Sequence, residues 1–152
     1  MADIKSQARP AVDALLQNDE DQLYLELGKR LSAIKQDPSL SGSFTPDLPS
    51  DVEALGPVDD LKEIARRFFA RFNAQAYQLV CGAEAENSEE REQVLNAFGI
   101  GQDAVAAAIV GLLVSQLALA PAVAAVVAAL IVRLFFRPAY ESMCEVWSEK
   151  QP

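Results

Sequence analysis

The sequence predicts an all-α, single-domain helical bundle around a central, very apolar Ala/Val/Leu-rich helical hairpin. Three observations predict it. Between Asp103 and Arg133 stand 29 consecutive uncharged residues, AVAAAIVGLLVSQLALAPAVAAVVAALIV, divided by Pro121. The segments around this run repeat apolar residues at intervals of three and four, the period of a helix with one buried face. No stretch alternates apolar and polar residues long enough for a strand, since the valines stand among alanines at helical spacing. A chain of 152 residues buries roughly two-thirds of its unfolded surface, enough for one core.

The elements follow in order. A first helical region spans 10–36, opening at Pro10, a residue suited to a first helical turn. It either continues through or restarts after the acidic run NDED at 18–21. Leu23, Leu27, Leu31 and Ile34 form its apolar stripe, and Lys29, Arg30 and Lys35 crowd the half where cations favour a helix C-terminus. The connection 37–57, DPSLSGSFTPDLPSDVEALGP, holds four prolines and two glycines, which exclude a long helix. Leu40, Phe44 and Leu48 are expected to anchor it over the core. Ser50 and Glu53 stand at capping-box spacing before Gly56, which predicts one short helical turn.

A second helical region spans 58–98. From Val58 to Cys81, the residues Leu61, Ile64, Ala65, Phe68, Phe72, Ala76 and Leu79 share a face, and Gly82 is expected to close the helix in a left-handed conformation. Asn87 and Glu90 again have capping-box spacing, opening a helix that reaches Phe98. Gly99 and Gly101 end it in a helix-to-helix turn, and Asp103 is expected to cap the next helix. The hairpin occupies 103–136, with arms 104–119 and 122–136, and a last helix covers 138–149. If Pro138 only kinks the chain, Arg133, Arg137, Glu141, Glu145 and Glu149 form one charged stripe, with Arg137 and Glu141 able to pair across the kink. Phe136, Tyr140, Met143, Cys144 and Trp147 form the apolar face beside it.

The hairpin poses a choice of solvent. As one straight helix the 29 residues extend about 43 Å at about 1.5 Å per residue, sufficient for one tilted or kinked span of a hydrocarbon layer about 30 Å thick. Each arm alone, with about 16 residues, reaches about 24 Å, so two spans do not fit. Fourteen Leu, Ile or Val residues favour insertion by about 4 to 8 kcal/mol before polar residues subtract. Ala107, Gly111 and Ser115 make one ridge of small residues, and Ala124 and Ala128, with Ala120, make another. Such ridges allow close helix approach in lipid and in protein alike. The amphipathic segments elsewhere all require an apolar partner, which favours the buried hairpin.

Charge and composition narrow the function. Residues 1–102 carry 18 acids and 10 bases, and the whole chain a net charge of −9. Such a surface repels nucleic acid, whose phosphates require clustered cations. The exception is Arg66, Arg67 and Arg71 interleaved with Phe68, Phe69 and Phe72, which reads as an amphipathic helix and, alternatively, as an anionic-partner patch. The chain has no histidine, which excludes His-activated nucleophiles and His-ligated metals. FGIGQD at 98–103 lacks the third glycine and the preceding strand of a phosphate loop, and the acidic runs lack calcium-loop spacing. Cys81 and Cys144 are too few and too distant in sequence for a disulfide framework or a zinc site, and read as small core residues. No catalytic residue, cofactor or metal is therefore expected.

The expected function is non-enzymatic: a small adaptor acting through protein–protein contacts, with Leu40, Phe44, Leu48, Arg66, Arg67 and Arg71 as candidate contacts and self-association left open. The alternative is a membrane-associated protein whose hairpin 104–132 enters the bilayer constitutively or on triggering, with Ala107, Gly111, Ser115, Pro121, Ala124 and Ala128 packing its helices. In architecture alone this second pattern resembles helical toxins and cell-death regulators. MADIKSQARP has no apolar run behind its charges, so the expected location is cytoplasmic. For a single span, Arg133 and Arg137 leave the C-terminus on the cytoplasmic side.

Overall fold

The computed structural model describes residues 4–48, 56–82 and 89–150. Among them stand seven α-helices and no strand: α1 (Ile4–Leu15), α2 (Glu20–Gln36), α3 (Val58–Cys81), α4 (Glu89–Ala97), α5 (Gln102–Leu117), α6 (Pro121–Phe135) and α7 (Tyr140–Glu149). The main buried cluster draws on all seven. Helix α5 packs on α1, α4 and α6, α6 also packs on α1, α2 and α7, and α3 lies on α2.

The first region is two helices. Asp19 breaks it with a capping box: its carboxylate accepts from the Gln22 N–H at 2.8 Å, and its own N–H donates to Gln22 Oε1 at 2.9 Å. Contrary to expectation, Pro10 lies inside α1 instead of opening it. Proline removes one backbone donor, but the burial of Ala8, Ala11, Val12 and Leu15 holds the helix together across that gap. Leu23 and Leu27 are fully buried as their stripe requires, whereas Leu31 and Ile34 are only half-buried.

The connection drapes inward. A 3-10 turn at Pro38–Gly42 follows the Asp37 cap. Phe44 then packs on the main cluster, and Leu40 and Leu48 pack with Leu25 on the buried pair Ala33 and Leu61. Ser50 and Glu53, and likewise Asn87, lie outside the described residues.

The buried face of α3 is rotated from the one expected. Leu61, Ala65, Phe69, Ala76 and Val80 are buried, while Phe68, Phe72 and Leu79 are half-buried and Ile64 is 47% exposed. Two apolar stripes overlap on this helix, and packing on α2 selects the one through Phe69, whose ring meets Tyr24 edge-on at 6.0 Å. Gly82 is extended, with φ −74° and ψ 151°, and not left-handed. The left-handed helix end is instead Ala118, φ 54°, which closes α5.

The hairpin turns at Ala118–Ala120 into Pro121, the first residue of α6, where a missing N–H costs nothing. From Ala122 to Val132 no residue of α6 is more than 5% exposed, so the helix is apolar all round because it is enclosed all round. In α5 residues 104–110 are buried, but Ser115 and Gln116 reach the surface. The cap of α5 is Gly101, φ 155°, a conformation that suits glycine alone, and Asp103 lies within the first turn.

After Phe135 the chain breaks. Pro138 does not merely kink a continuous helix: α6 and α7 meet at 92°, so the stripe from Arg133 to Glu149 is not continuous. The Arg137 guanidinium donates to the Phe136 carbonyl at 2.7 Å. Cys81 and Cys144, expected as separate core residues, form a disulfide that joins the end of α3 to the middle of α7. Their separation of 63 positions says nothing of distance once α7 folds back across α3.

Candidate functional site

Alanines in place of larger side chains leave a groove of about 200 Å³ where α1 and α4 straddle the first half of α5. Ala104, Ala107 and Ala108 of α5 and Ala97 of α4 make its floor; Ser6, Arg9, Gln93 and Asn96 make a polar rim. Ile100, held in the turn between two glycines, stands at the lip 66% exposed. Pockets for small-molecule cofactors run about 300 to 1,000 Å³, so this volume suits one large apolar side chain.

The rim is electrostatically settled. Arg9 Nε donates to Asp103 Oδ2 at 2.9 Å, joining α1 to α5. That hydrogen bond, against a smaller opposing effect of burial, holds the Asp103 carboxyl below its ordinary pKa. A hydroxyl, two amides and a paired guanidinium supply hydrogen bonds for orientation, and no nucleophile–base pair stands among these lining residues.

Two arginines are buried, and both serve backbone carbonyls. Arg30, 5% exposed, donates to Glu26 Oε1 at 3.0 Å and to the Phe44 and Ala122 carbonyls at 2.9 Å each, pinning α2, the connection and α6 together. Burial lowers its pKa and Glu26 opposes the shift. Arg91 of α4, 4% exposed, donates to the carbonyls of Leu79 (2.9 Å), Gln78 (3.1 Å) and Gly82. It thereby serves carbonyls at the end of α3, where helical partners run out.

Of the contacts expected from sequence, Leu40, Phe44 and Leu48 turn toward the core and stay half-buried. Arg66, Arg67 and Arg71 line the exposed side of α3 and are engaged locally. Arg66 reaches Asp21 at 3.5 Å and lies 5.3 Å over the Tyr24 ring, Arg67 pairs with Glu63, and Arg71 lies over Phe72. Burial, then Glu20, raises the Tyr24 pKa. Among the expected packing residues Ala107, Ala124 and Ala128 are buried, Gly111 and Pro121 half-buried, and Ser115 exposed; Ala107 alone of these lines the groove. The sequence reading missed Ser6, Arg9 and Ile100. Only Ile100 carried a signal, an isoleucine between glycines in a turn.

Among the described residues, no group of three or more Cys, Asp or Glu side chains is placed to hold a metal ion. No single helix there is long and apolar enough to cross a membrane; α6 and α7 pass that test only together, as the pair bent by 92°. Comparison with protein-family models, curated proteins and solved structures finds no match for the chain.

Proposed function

We propose that this protein is a non-enzymatic helical interaction module that receives an apolar side chain of a partner protein in the groove between α1, α4 and α5. The observation that carries the reading is Ile100, a large aliphatic residue 66% exposed beside a floor of alanines with a hydrogen-bonding rim. An apolar core within a polar rim is the anatomy of a protein–protein contact. The net charge of −9 favours a basic partner through steering. Because a disulfide persists where thiols are oxidised, Cys81–Cys144 supports residence in an oxidising compartment over the cytoplasmic location expected from the N-terminus.

The test is affinity capture with the native chain and with Ile100→Glu and Asn96→Trp, which charge the lip and fill the groove. Both variants are expected to keep native helix content by circular dichroism and to lose a partner that the native chain retains. Retention by both variants removes the groove from the reading.

A second reading has its own support in the uncharged run 104–132 of the α5–α6 hairpin: membrane entry, with the surrounding helices opening on a trigger. Permeabilisation of anionic liposomes between neutral and mildly acidic pH tests it, and intact vesicles with no bound protein count against it.

A further inference from the structure

We propose that the Cys81–Cys144 disulfide is a redox latch: its reduction by a dithiol releases α7 and uncovers an aromatic surface on α6, leaving the rest of the hairpin's cover in place. The proposal goes beyond the interaction reading and stands whether or not Ile100 meets a partner.

The argument begins with what α7 is. It has ten residues, too few for a helix that holds itself in water, and it follows a turn of 92° through Arg137, Pro138 and Ala139, all exposed. Its docking therefore depends on what it touches. Met143 and Trp147 are fully buried. The Trp147 ring stacks on Phe135 of α6 at 5.3 Å and meets Tyr77 of α3 edge-on at 5.5 Å. Trp147 Nε1 donates to Asn73 Oδ1 at 2.8 Å, and the Tyr140 hydroxyl donates to the Val80 carbonyl at 2.6 Å.

Tyr140 also meets the Phe98 ring edge-on at 5.8 Å, Val146 packs on the main cluster, and the covalent bond, beside Val80 at the end of α3, ties the helix to the bundle. Helices α1, α2 and α4 pack on the hairpin arms α5 and α6 without α7 between them, whereas α7 packs on α3 and α6. Detachment is therefore local, and the surface it frees centres on Phe135.

The chemistry is reachable. Cys81 and Cys144 are both half-buried rather than enclosed, so a thiolate has access to the bond. A dithiol attacks one sulfur to form a mixed disulfide, expelling the other as thiolate; its second thiol then releases the first. The protein gains two electrons and two protons as two thiols, and the reductant leaves as its own disulfide.

Trp147 is the single tryptophan of the chain and reports on the latch directly. The full-length protein is treated with dithiothreitol under native conditions, both thiols are confirmed by alkylation and mass, and Trp147 emission, acrylamide quenching and amide hydrogen exchange are compared with the untreated protein. The expected result is a red-shifted, more quenchable Trp147 and exchange over 140–149 faster by about tenfold or more, with 104–113 and 122–132 as protected as before. Cys144→Ser should show the same signature without reductant, and should that variant fail to fold, the dithiothreitol comparison decides alone. The latch is refuted if Trp147 stays shielded with both thiols alkylated, if the bond yields only after the chain unfolds, or if α5 and α6 lose protection together with α7.

Discussion

Replacing Gly28 by alanine sets helix propensity against packing, and the two make opposite predictions. Gly28 is a buried residue within α2, where alanine is intrinsically better by about 1 kcal/mol. In the folded chain, however, the α2 backbone lies directly on α3. A Cβ at Gly28 would stand 2.6 Å from the Leu61 carbonyl carbon and 3.0 Å from its Cα, closer still to the carbonyl oxygen, where ordinary contact begins at 3.4 Å. These are backbone atoms of a helix, so no rotamer relieves the clash and the helices must separate by about 1 Å, which forfeits a quarter to a half of each dispersion contact along the seam.

Overpacking of this kind costs about 1 to 3 kcal/mol and occasionally more. Because the helices themselves must part here, the cost should fall in the upper part of that range and, less the propensity gain, leave a net loss of about 1 to 2 kcal/mol. Urea unfolding followed by far-ultraviolet circular dichroism measures it, with an expected fall in midpoint of about 1 M at a typical m-value. Gly42→Ala is the control. Gly42 is exposed, has no atom within 4 Å of an added Cβ and has no left-handed φ, so it should stay within about 0.5 kcal/mol of the native chain. A Gly28→Ala protein as stable as the native one, or more stable, refutes the close crossing of α2 and α3.

Three further outcomes follow from the same contacts. Arg91→Met should cost about 2 to 4 kcal/mol by denaturant unfolding, because it orphans carbonyls at the end of α3, and Arg91→Lys should recover less than half of that because it lacks the guanidinium fork. Phe69→Ala should destabilise by about 3 to 5 kcal/mol while Ile64→Ala stays below about 1 kcal/mol; equal losses would restore the face expected from sequence. The folded-state pKa of Asp103 is depressed by Arg9, so its contribution is full above the unfolded carboxylate pKa of about 4 and is lost as pH falls through the folded value. Asp103→Asn should therefore lose less than about 1 kcal/mol at neutral pH, since the pair is partly exposed, and converge with the native chain in acid.

Punctuation and period made most of the fold legible. Pro121, the glycines around Ile100 and the charges at Asp103 and Arg133 bound the hairpin, and Leu23 and Leu27 fix the face of α2. What escaped the sequence depends on the third dimension. Arg30 and Arg91 look like solvent cations until the Phe44, Ala122, Leu79 and Gly82 carbonyls are seen arriving beside them. Cys81 and Cys144 are adjacent only because α7 turns back. On α3 one helix carries two apolar stripes, and nothing local says which of Phe68 and Phe69 faces α2. The groove was least legible of all, because its floor is an absence of side-chain volume at Ala104, Ala107 and Ala108 that reads as ordinary helix packing.

The choice between lipid and protein for the hairpin turns on its cover rather than on its own hydropathy. Its Leu, Ile and Val side chains gain about 4 to 8 kcal/mol on insertion from water, but α6 is already out of water along Ala122–Val132, so exchanging protein for lipid returns little of that sum. Opening would instead strip the apolar faces of the surrounding helices, at about 25 cal/mol for each Å² returned to water, unless those faces settle on the bilayer as well. The helices on α5 and α6 are thus the barrier, and they differ in how they are held. Helices α1, α2 and α4 are fastened by packing, the Arg9–Asp103 pair and the buried arginines. Only α7 depends on a bond that chemistry can open without unfolding the rest, which makes the Trp147–Phe135 contact the place where any change of state should first be seen.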